Sequence, residues 1–464
     1  MNAFLVNRFV FPLHERLKGA ANVRQLRELE RTQWLAPDAL RELQFERLRR
    51  HLQHAYDNTV YYRRLFDEHG IEPRRVASPE DVRRIPPLTR ERLRKHFDEL
   101  VARGVREGGP VQRVATGGST GEPVTVLIDQ RIGSSAAIRY RAHRWFGLEP
   151  FAREIVLWGS PLELKQQDRV RAFRDWLINS RLLSAFDLGE EALARYRAVL
   201  ERHRPERIFG YASAIHLFAR YLQGQGWRPT WRLKAVFTTA EPLFDFQREV
   251  IQQVFGCRAA VEYGARDAGM VANECPQGGL HIPAETAYVE TDGRAADGLG
   301  EVLVTDFTLT AMPLIRYRTG DLGELDDGTC ACGRSLPLLK RVEGRRTDFL
   351  LAPDGRVLHA LSVIYILREA EGVQQFQVVQ EAVDRVVVQI VPGPRFGEGE
   401  RAVIVERMRR LLGRGTDVRI QTVGSIARAA SGKFRYVISR VADAHLETMF
   451  ADRPEALVGQ GVEA

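Results

Sequence analysis

Between residues 154 and 265 short apolar runs alternate with helical stretches, and this alternation restricts the possible folds more than any other feature of the chain. EIVLWGS, ERIFGYAS, LKAVFTTAE and CRAAVEYGA have the length and composition of strands. LARYRAVLERH and FDFQREVIQQVF, lying between them, carry helical periodicity. Strands alternating with helices specify an α/β domain. Upstream, residues 25–56 read as helices, with Phe45, Leu48, Leu52 and Tyr56 on one apolar face. Residues 281–325 read as strands (AETAYVE, GEVLVTDF, LIRYRTGDLGEL) broken by Gly and Asp turns. From Asp348 onward a hairpin around Pro353-Asp354-Gly355 is followed by a helix, two strands, a helix and a strand. The chain has 464 residues, more than one core fills, and about 100 residues suffice for a small second unit. The expectation is an α/β protein with a large domain over 1–347 and a smaller α+β domain over 348–445. Residues 446–464 read as a frayed tail.

Bulk properties exclude several classes. No apolar run approaches the roughly 20 residues of a spanning helix, and the N-terminus lacks the continuous apolar stretch of a signal peptide, so the cytoplasm is expected. The net charge of +8 would suit nucleic acid, but the arginines are interleaved with acids, as in RELQFERLRR. A solvated mixed-charge surface accounts for them, no nucleic-acid partner is expected, and an anionic substrate remains compatible. Four cysteines in a chain this long do not make a disulfide scaffold.

Ala115-Thr116-Gly117-Gly118-Ser119-Thr120-Gly121-Glu122-Pro123 is the segment richest in chemistry. Glycines let the backbone approach a ligand, and successive amides with Ser/Thr hydroxyls can wrap phosphate oxygens. It is not a Walker A loop, because no lysine follows the last glycine. It contains Gly-x-Ser-x-Gly, the elbow of a serine hydrolase with Ser119 as nucleophile, which requires a strand, a sharp turn and then a helix. Here VTVLI, a β run, follows. A Gly/Ser turn of no consequence is the third reading of this segment.

Further segments follow in order: Thr239-Ala240-Glu241-Pro242, Glu262-Tyr263-Gly264-Ala265-Arg266-Asp267, Tyr317-Arg318-Thr319-Gly320-Asp321, Gly344-Arg345-Arg346-Thr347-Asp348 and Ser431-Gly432-Lys433-Phe434-Arg435. Together with the glycine loop they resemble the motifs of the adenylate-forming enzymes. LRELERTQWL, HAYDNTVYYRRLFDEHG, QFQVVQE and SGKFRYVIS are similar to the CapK branch of the phenylacetate–CoA ligase family. The resemblance covers the whole chain. It implies activation of an aryl or acyl carboxylic acid by ATP and Mg²⁺ to acyl-AMP and pyrophosphate. Transfer follows to CoA, to a carrier-protein phosphopantetheine, or to an amine or alcohol, in polysaccharide or secondary-metabolite biosynthesis.

Attack of one anion on the α-phosphorus while another leaves demands a site that stabilises crowded negative charge. Thr116, Gly117, Gly118, Ser119, Thr120 and Gly121 suit the β- and γ-phosphates. Tyr263 offers a face to adenine, flanked by Ala240, Glu241 and Pro242, with Glu262 and Gly264 beside it. Asp321, at the end of a strand, suits the ribose hydroxyls, and Arg345 the ribose or phosphate. Lys433 is the candidate catalytic cation; none of Lys18, Lys95, Lys165, Lys234 and Lys340 lies in a comparable Gly-flanked loop. The family has Glu where this chain has Asp267, the expected Mg²⁺ ligand, one methylene shorter. Asp348 matches the family's hinge, about which the small domain would turn. That departure at Asp267 sustains a rival: a non-catalytic, nucleotide-binding relative serving as a pathway partner.

Cys275-x5-His281 and Cys330-x-Cys332 provide three thiols and an imidazole, a closed tetrahedral set of structural zinc type. Inert buried cysteines or a Cys-x-Cys redox pair are the alternatives. Some phenylacetate–CoA ligase relatives carry a comparable cluster. Tyr140, Trp145, Trp158, Phe209, Tyr211 and Phe237 are aromatics available for an acyl pocket, although most such residues are core.

Overall fold

The strand–helix alternation appears in the computed structural model where the sequence places it. The structure describes residues 22–106, 111–116, 124–129, 134–159, 175–176, 178–185, 188–265, 267–293, 299–343, 349–426 and 436–441. Two units divide the chain: Met1–Ala152 with Ala260–Gly344, and Arg153–Ala259 with Arg345–Ala464.

The first unit opens with the helices Asn22–Thr32, Pro37–Asn58 and Val60–His69. The third begins at Thr59, whose hydroxyl accepts the Tyr62 amide, and ends at Gly70, whose φ of 59° closes the helix in the left-handed region. Phe45, Leu48 and Leu52 of the second are buried in the largest core of this unit, each contributing about 2 kcal/mol. The remainder is an antiparallel sheet. Its strand order is Ala287–Asp292, Gly300–Asp306, Tyr317–Asp326, Leu338–Glu343, Leu280–His281, Gly269–Glu274 and Arg258–Ala265. Strands Val111–Thr116 and Val124–Asp129 pair separately and antiparallel, with Thr116 opposite Val124. The glycine loop therefore joins two strands of a hairpin. The first described element after it is the strand Val124–Asp129, whereas a hydrolase elbow requires a helix there; Ser119 itself lies outside the described residues.

The second unit contains four parallel strands in the order Ala235–Thr239, Arg207–Tyr211, Glu154–Trp158 and Ser180–Ser184. Every residue of Arg207–Tyr211 is buried, as expected for a strand covered on both faces. A β-carbon on Gly210 would lie 2.2 Å from the Leu157 carbonyl oxygen, so only glycine allows that approach. Helices Glu190–His203, Ala212–Gly224 and Asp245–Phe255 supply the apolar residues that cover these strands.

Beyond residue 348 the second unit holds the hairpin Phe349–Leu351/Val357–His359, turned at Gly355 with φ 83°. A four-stranded sheet follows, in the order Asp417–Thr422, Arg385–Pro392, Val373–Ala382 and Val437–Ser439. Helices Leu361–Arg368 and Glu398–Leu412 share its core through Val363, Leu367, Ile404 and Met408. Among the described residues no helix is long and apolar enough to cross a membrane.

Candidate functional site

Two tyrosines of the first unit each donate to a carboxylate. The Tyr263 hydroxyl donates to Asp321 Oδ2 at 3.0 Å, although 58 residues separate them. The Asp321 amide in turn donates to Thr319 Oγ1 at 3.2 Å. The Tyr317 hydroxyl donates to Asp267 Oδ2 at 2.6 Å, across 50 residues. Burial, and then the neighbouring carboxylate, raise both phenols above their ordinary values, so each stays a donor. Asp321 lies inside Tyr317–Asp326, not at a strand end as expected from the sequence. The irregularity that read as an end is Gly320, whose φ is 81°.

Glu262 is buried with both carboxylate oxygens engaged: His143 Nε2 lies 2.5 Å from Oε1, and Arg139 Nε donates to Oε2 at 3.0 Å. Both partners lie on helix Ser134–Arg144, so Glu262 anchors the strand that carries Tyr263. Gly264 follows where a β-carbon would approach the Gly269 carbonyl oxygen to 2.8 Å.

In the second unit, the turn after Ala235–Thr239 puts Ala240 at φ 65°, a left-handed conformation that costs a non-glycine residue about 1 kcal/mol. Glu241 Oε2 accepts from the Ser213 amide at 2.9 Å and its hydroxyl at 2.6 Å, placing a carboxylate on the N-terminus of Ala212–Gly224. Pro242 follows, half-buried. Trp158 stacks on Tyr211 at 4.2 Å, and Phe237 is buried, as core aromatics are. Gly117, Gly118, Ser119, Thr120, Gly121, Arg345, Asp348 and Lys433 lie outside the described residues; Thr116 is described in its backbone alone.

The cysteine–histidine set of the first unit comes together from three segments. One donor atom each from Cys275, His281, Cys330 and Cys332 lies within 4.8 Å of all the others. Cys275 Sγ is 3.5 Å from Cys330 Sγ, and Cys332 Sγ is 3.2 Å from His281 Nε2. All four cysteines of the chain are free thiols. A zinc tetrahedron with bonds of about 2.3 Å has edges of about 3.8 Å, which this donor set fits. His281 Nδ1 faces the Leu336 carbonyl at 3.4 Å, turning Nε2 toward the thiols. A β-carbon on Gly279 would lie 2.6 Å from Cys330 Sγ, so the segment between Cys275 and His281 passes too close for any side chain. Burial pushes the Cys275 thiol up to about 12. Burial also opposes the Cys332 thiolate, but Arg334 outweighs it and holds that thiol below its ordinary value. A divalent cation among them would stabilise both thiolates.

Two neighbours of this cluster are not evident in the sequence. Arg334 lies over the rings of Trp34 and Trp145, at 4.8 and 4.6 Å. Gln33 Oε1 accepts from Arg334 Nε and from Trp145 Nε1. Trp145, counted above as an aromatic available for an acyl pocket, instead packs its edge on His281, 5.4 Å between centroids. The Cys-x-Arg spacing of Cys332 and Arg334 was the signal available; Trp34 and Trp145 lie far from it in the chain.

Residues 350–440 match the family model of the CapK C-terminal domain. Protein CapK of Staphylococcus aureus is 24% identical over 409 residues, spanning 86% of this chain and 89% of that protein. Phenylacetate-coenzyme A ligase of Escherichia coli (strain K12) is 31% identical over 340 residues, 68% of this chain and 73% of that protein. Among solved structures, 2-hydroxyisobutyryl-CoA ligase in complex with 2-HIB-AMP and CoA, in the thioesterification state, shares the fold. Its TM-score is 0.61 at 19% identity, over 91% of this chain and 94% of that one.

Proposed function

The chain belongs to the phenylacetate–coenzyme A ligase family, and from that premise we propose that it is an AMP-forming ligase activating an aryl or acyl carboxylic acid. In the first step a carboxylate oxygen attacks the α-phosphorus of ATP and the bond to pyrophosphate breaks, giving acyl-AMP. In the second a thiolate attacks the acyl carbonyl and AMP departs as the leaving group. CoA is the acceptor we favour, with a carrier-protein phosphopantetheine, an amine or an alcohol as the alternatives within the same chemistry.

One observation carries this reading: Tyr263 and Tyr317, from two motifs, each donate to an acid of another motif, Asp321 and Asp267 respectively. Acids held by fixed donors are oriented before a ligand arrives, and such preorganisation is where electrostatic catalysis originates. Asp321 would accept the ribose hydroxyls, with the Tyr263 ring toward adenine. Asp267 would hold Mg²⁺, which supplies charge neutralisation for the phosphates; a buried carboxylate fits a hard cation. Ala240, Glu241, Pro242, Glu262 and Gly264 would shape the nucleotide's surroundings, and Thr116 to Gly121 would wrap its terminal phosphates. Arg345 would bind the ribose or phosphate. Lys433, on a mobile domain of residues 348–445 hinged at Asp348, would approach the α-phosphate for adenylation only.

We propose further that Cys275, His281, Cys330 and Cys332 hold a structural zinc ion, with no part in the chemistry. The acyl product would serve polysaccharide or secondary-metabolite assembly in the cytoplasm. Incubation with ATP, CoA and a panel of acids tests the main reading. Formation of AMP, pyrophosphate and an acyl thioester in equal amounts is the expected result. Nucleotide binding with no acid consumed would mark a non-catalytic relative instead.

A further inference from the structure

Arg90 enters none of the motifs, yet its backbone is held against one of them. The Leu88 amide donates to the Arg316 carbonyl and the Arg318 amide to the Leu88 carbonyl, both at 3.1 Å. Arg316 reinforces this register. Its Nη1 donates to the carbonyls of Arg83 and Ile85, while Nε and Nη2 form a two-pronged pair with Glu290 at 2.8 and 3.0 Å. Two residues beyond Leu88, Arg90 Nη2 donates to the Thr319 carbonyl at 2.6 Å. A β-carbon on Gly320 would lie 3.7 Å from that nitrogen, so the guanidinium rests on the turn leading to Asp321. The Tyr317 hydroxyl, whose proton goes to Asp267, feels the same guanidinium, whose charge opposes the rise that burial and Asp267 impose on the phenol. Burial alone would weaken the charge on Arg90, but Tyr317, Asp267 and Asp321 together hold it above its ordinary value.

We infer that Arg90 is a positioning residue for the nucleotide and its metal: through Tyr317 it orients the Asp267 carboxylate, and through the Thr319 carbonyl it fixes the turn that presents Asp321. This inference rests on the reading of Asp267 as the Mg²⁺ ligand. An aspartate side chain is short, so the direction of its carboxylate matters. A carboxylate offers about four acceptor positions, and the Tyr317 bond sets its plane without exhausting them. The guanidinium contributes a second effect, since one cation beside two acids limits their mutual repulsion before the metal binds.

The full-length protein with Arg90→Ala, Arg90→Lys, Tyr317→Phe and Asp267→Asn tests this. Two quantities are measured: the free Mg²⁺ giving half-maximal ATP–pyrophosphate exchange, and the affinity for Mn·ATP by calorimetry, which needs no turnover. Arg90→Ala is expected to raise both constants roughly 10- to 100-fold, the range for a lost charge-assisted hydrogen bond. Tyr317→Phe should raise them about fivefold, and adding it to Arg90→Ala should change little more, because both act along one chain of contacts. Arg90→Lys, retaining charge without the fork, should fall between wild type and Arg90→Ala. Unchanged constants in Arg90→Ala, with Asp267→Asn shifted, would overturn the inference and leave the reading of Asp267 standing. Unchanged constants in Asp267→Asn would overturn both. If Arg90→Ala does not fold, Arg90→Lys decides: wild-type constants in that variant overturn the inference.

Discussion

In the cysteine–histidine cluster the donor atoms face one another, whereas in the carboxylate cluster each acid faces a protein donor. Cys275 Sγ looks at Cys330 Sγ across 3.5 Å and Cys332 Sγ at His281 Nε2 across 3.2 Å. Asp267 and Asp321, by contrast, accept from Tyr317 and Tyr263. Groups of like character turned inward define a point that a cation would complete, and such a site would belong to the folded state. Acids already satisfied in part by hydroxyls are oriented without a ligand, as would suit the nucleotide site proposed above. Both clusters lie in the same unit and both draw on distant segments. The contrast therefore does not come from location in the chain.

Breaking the first cluster should damage stability most. Cys330→Ser, or treatment with a strong zinc chelator, is expected to lower the unfolding free energy by several kcal/mol, on the order of 5, with activity per folded molecule nearly kept. Denaturant unfolding and metal analysis together check this, the latter expecting one zinc per chain. Unaltered unfolding would remove the metal from the account. The second cluster should respond in the opposite way. Asp267→Asn is expected to reduce ATP–pyrophosphate exchange about 100- to 1,000-fold, roughly 3–4 kcal/mol, while unfolding changes by less than about 1.5 kcal/mol.

Acidity sharpens the same comparison. Asp306 packs on the backbone of Gly269, two residues from Asp267, and burial raises its carboxyl to about 6 from the ordinary 3.8. The folded protein therefore binds an extra proton between those values. This contribution to stability is full below about pH 4 and is lost as pH rises through 6, up to about 3 kcal/mol. Asp306→Asn should stabilise the protein at pH 7.5 and lose that advantage at pH 4, as urea unfolding at the two values would show. Gly279→Ala places a methyl against Cys330 Sγ and should cost about 1–3 kcal/mol of stability, with weaker metal retention. The smallest effect is expected from Tyr263→Phe, which removes one hydrogen bond to Asp321. About 1 kcal/mol, or a fivefold rise in KM for ATP with kcat little changed, is the expected outcome.

Much of this was legible in the sequence because it is local. The strands and helices between 154 and 265, the Gly355 hairpin and the elements that follow it all carry their own periodicity and turn residues. The cysteine–histidine set was legible for a different reason, since those residue types are scarce and their spacing is informative. Arg90 was not. It stands in LTRERLRKHF among three further basic side chains and a histidine, and only the pairing of Leu88 with Tyr317 selects it. The partners of Glu262 were hidden likewise, because His143 and Arg139 come from a helix 119 or more residues away. Asp321 was read from the sequence as a strand end, because Gly320 imitates a terminus while the strand runs on to Asp326.

Formation of an acyl-adenylate by this chain is tested by ATP–pyrophosphate exchange over a panel of aryl and fatty acids, with no acceptor present. Exchange dependent on one class of acid and abolished in Lys433→Ala, with nucleotide binding retained, is the expected result. Exchange that ignores the acid, or that Lys433→Ala leaves intact, would contradict it.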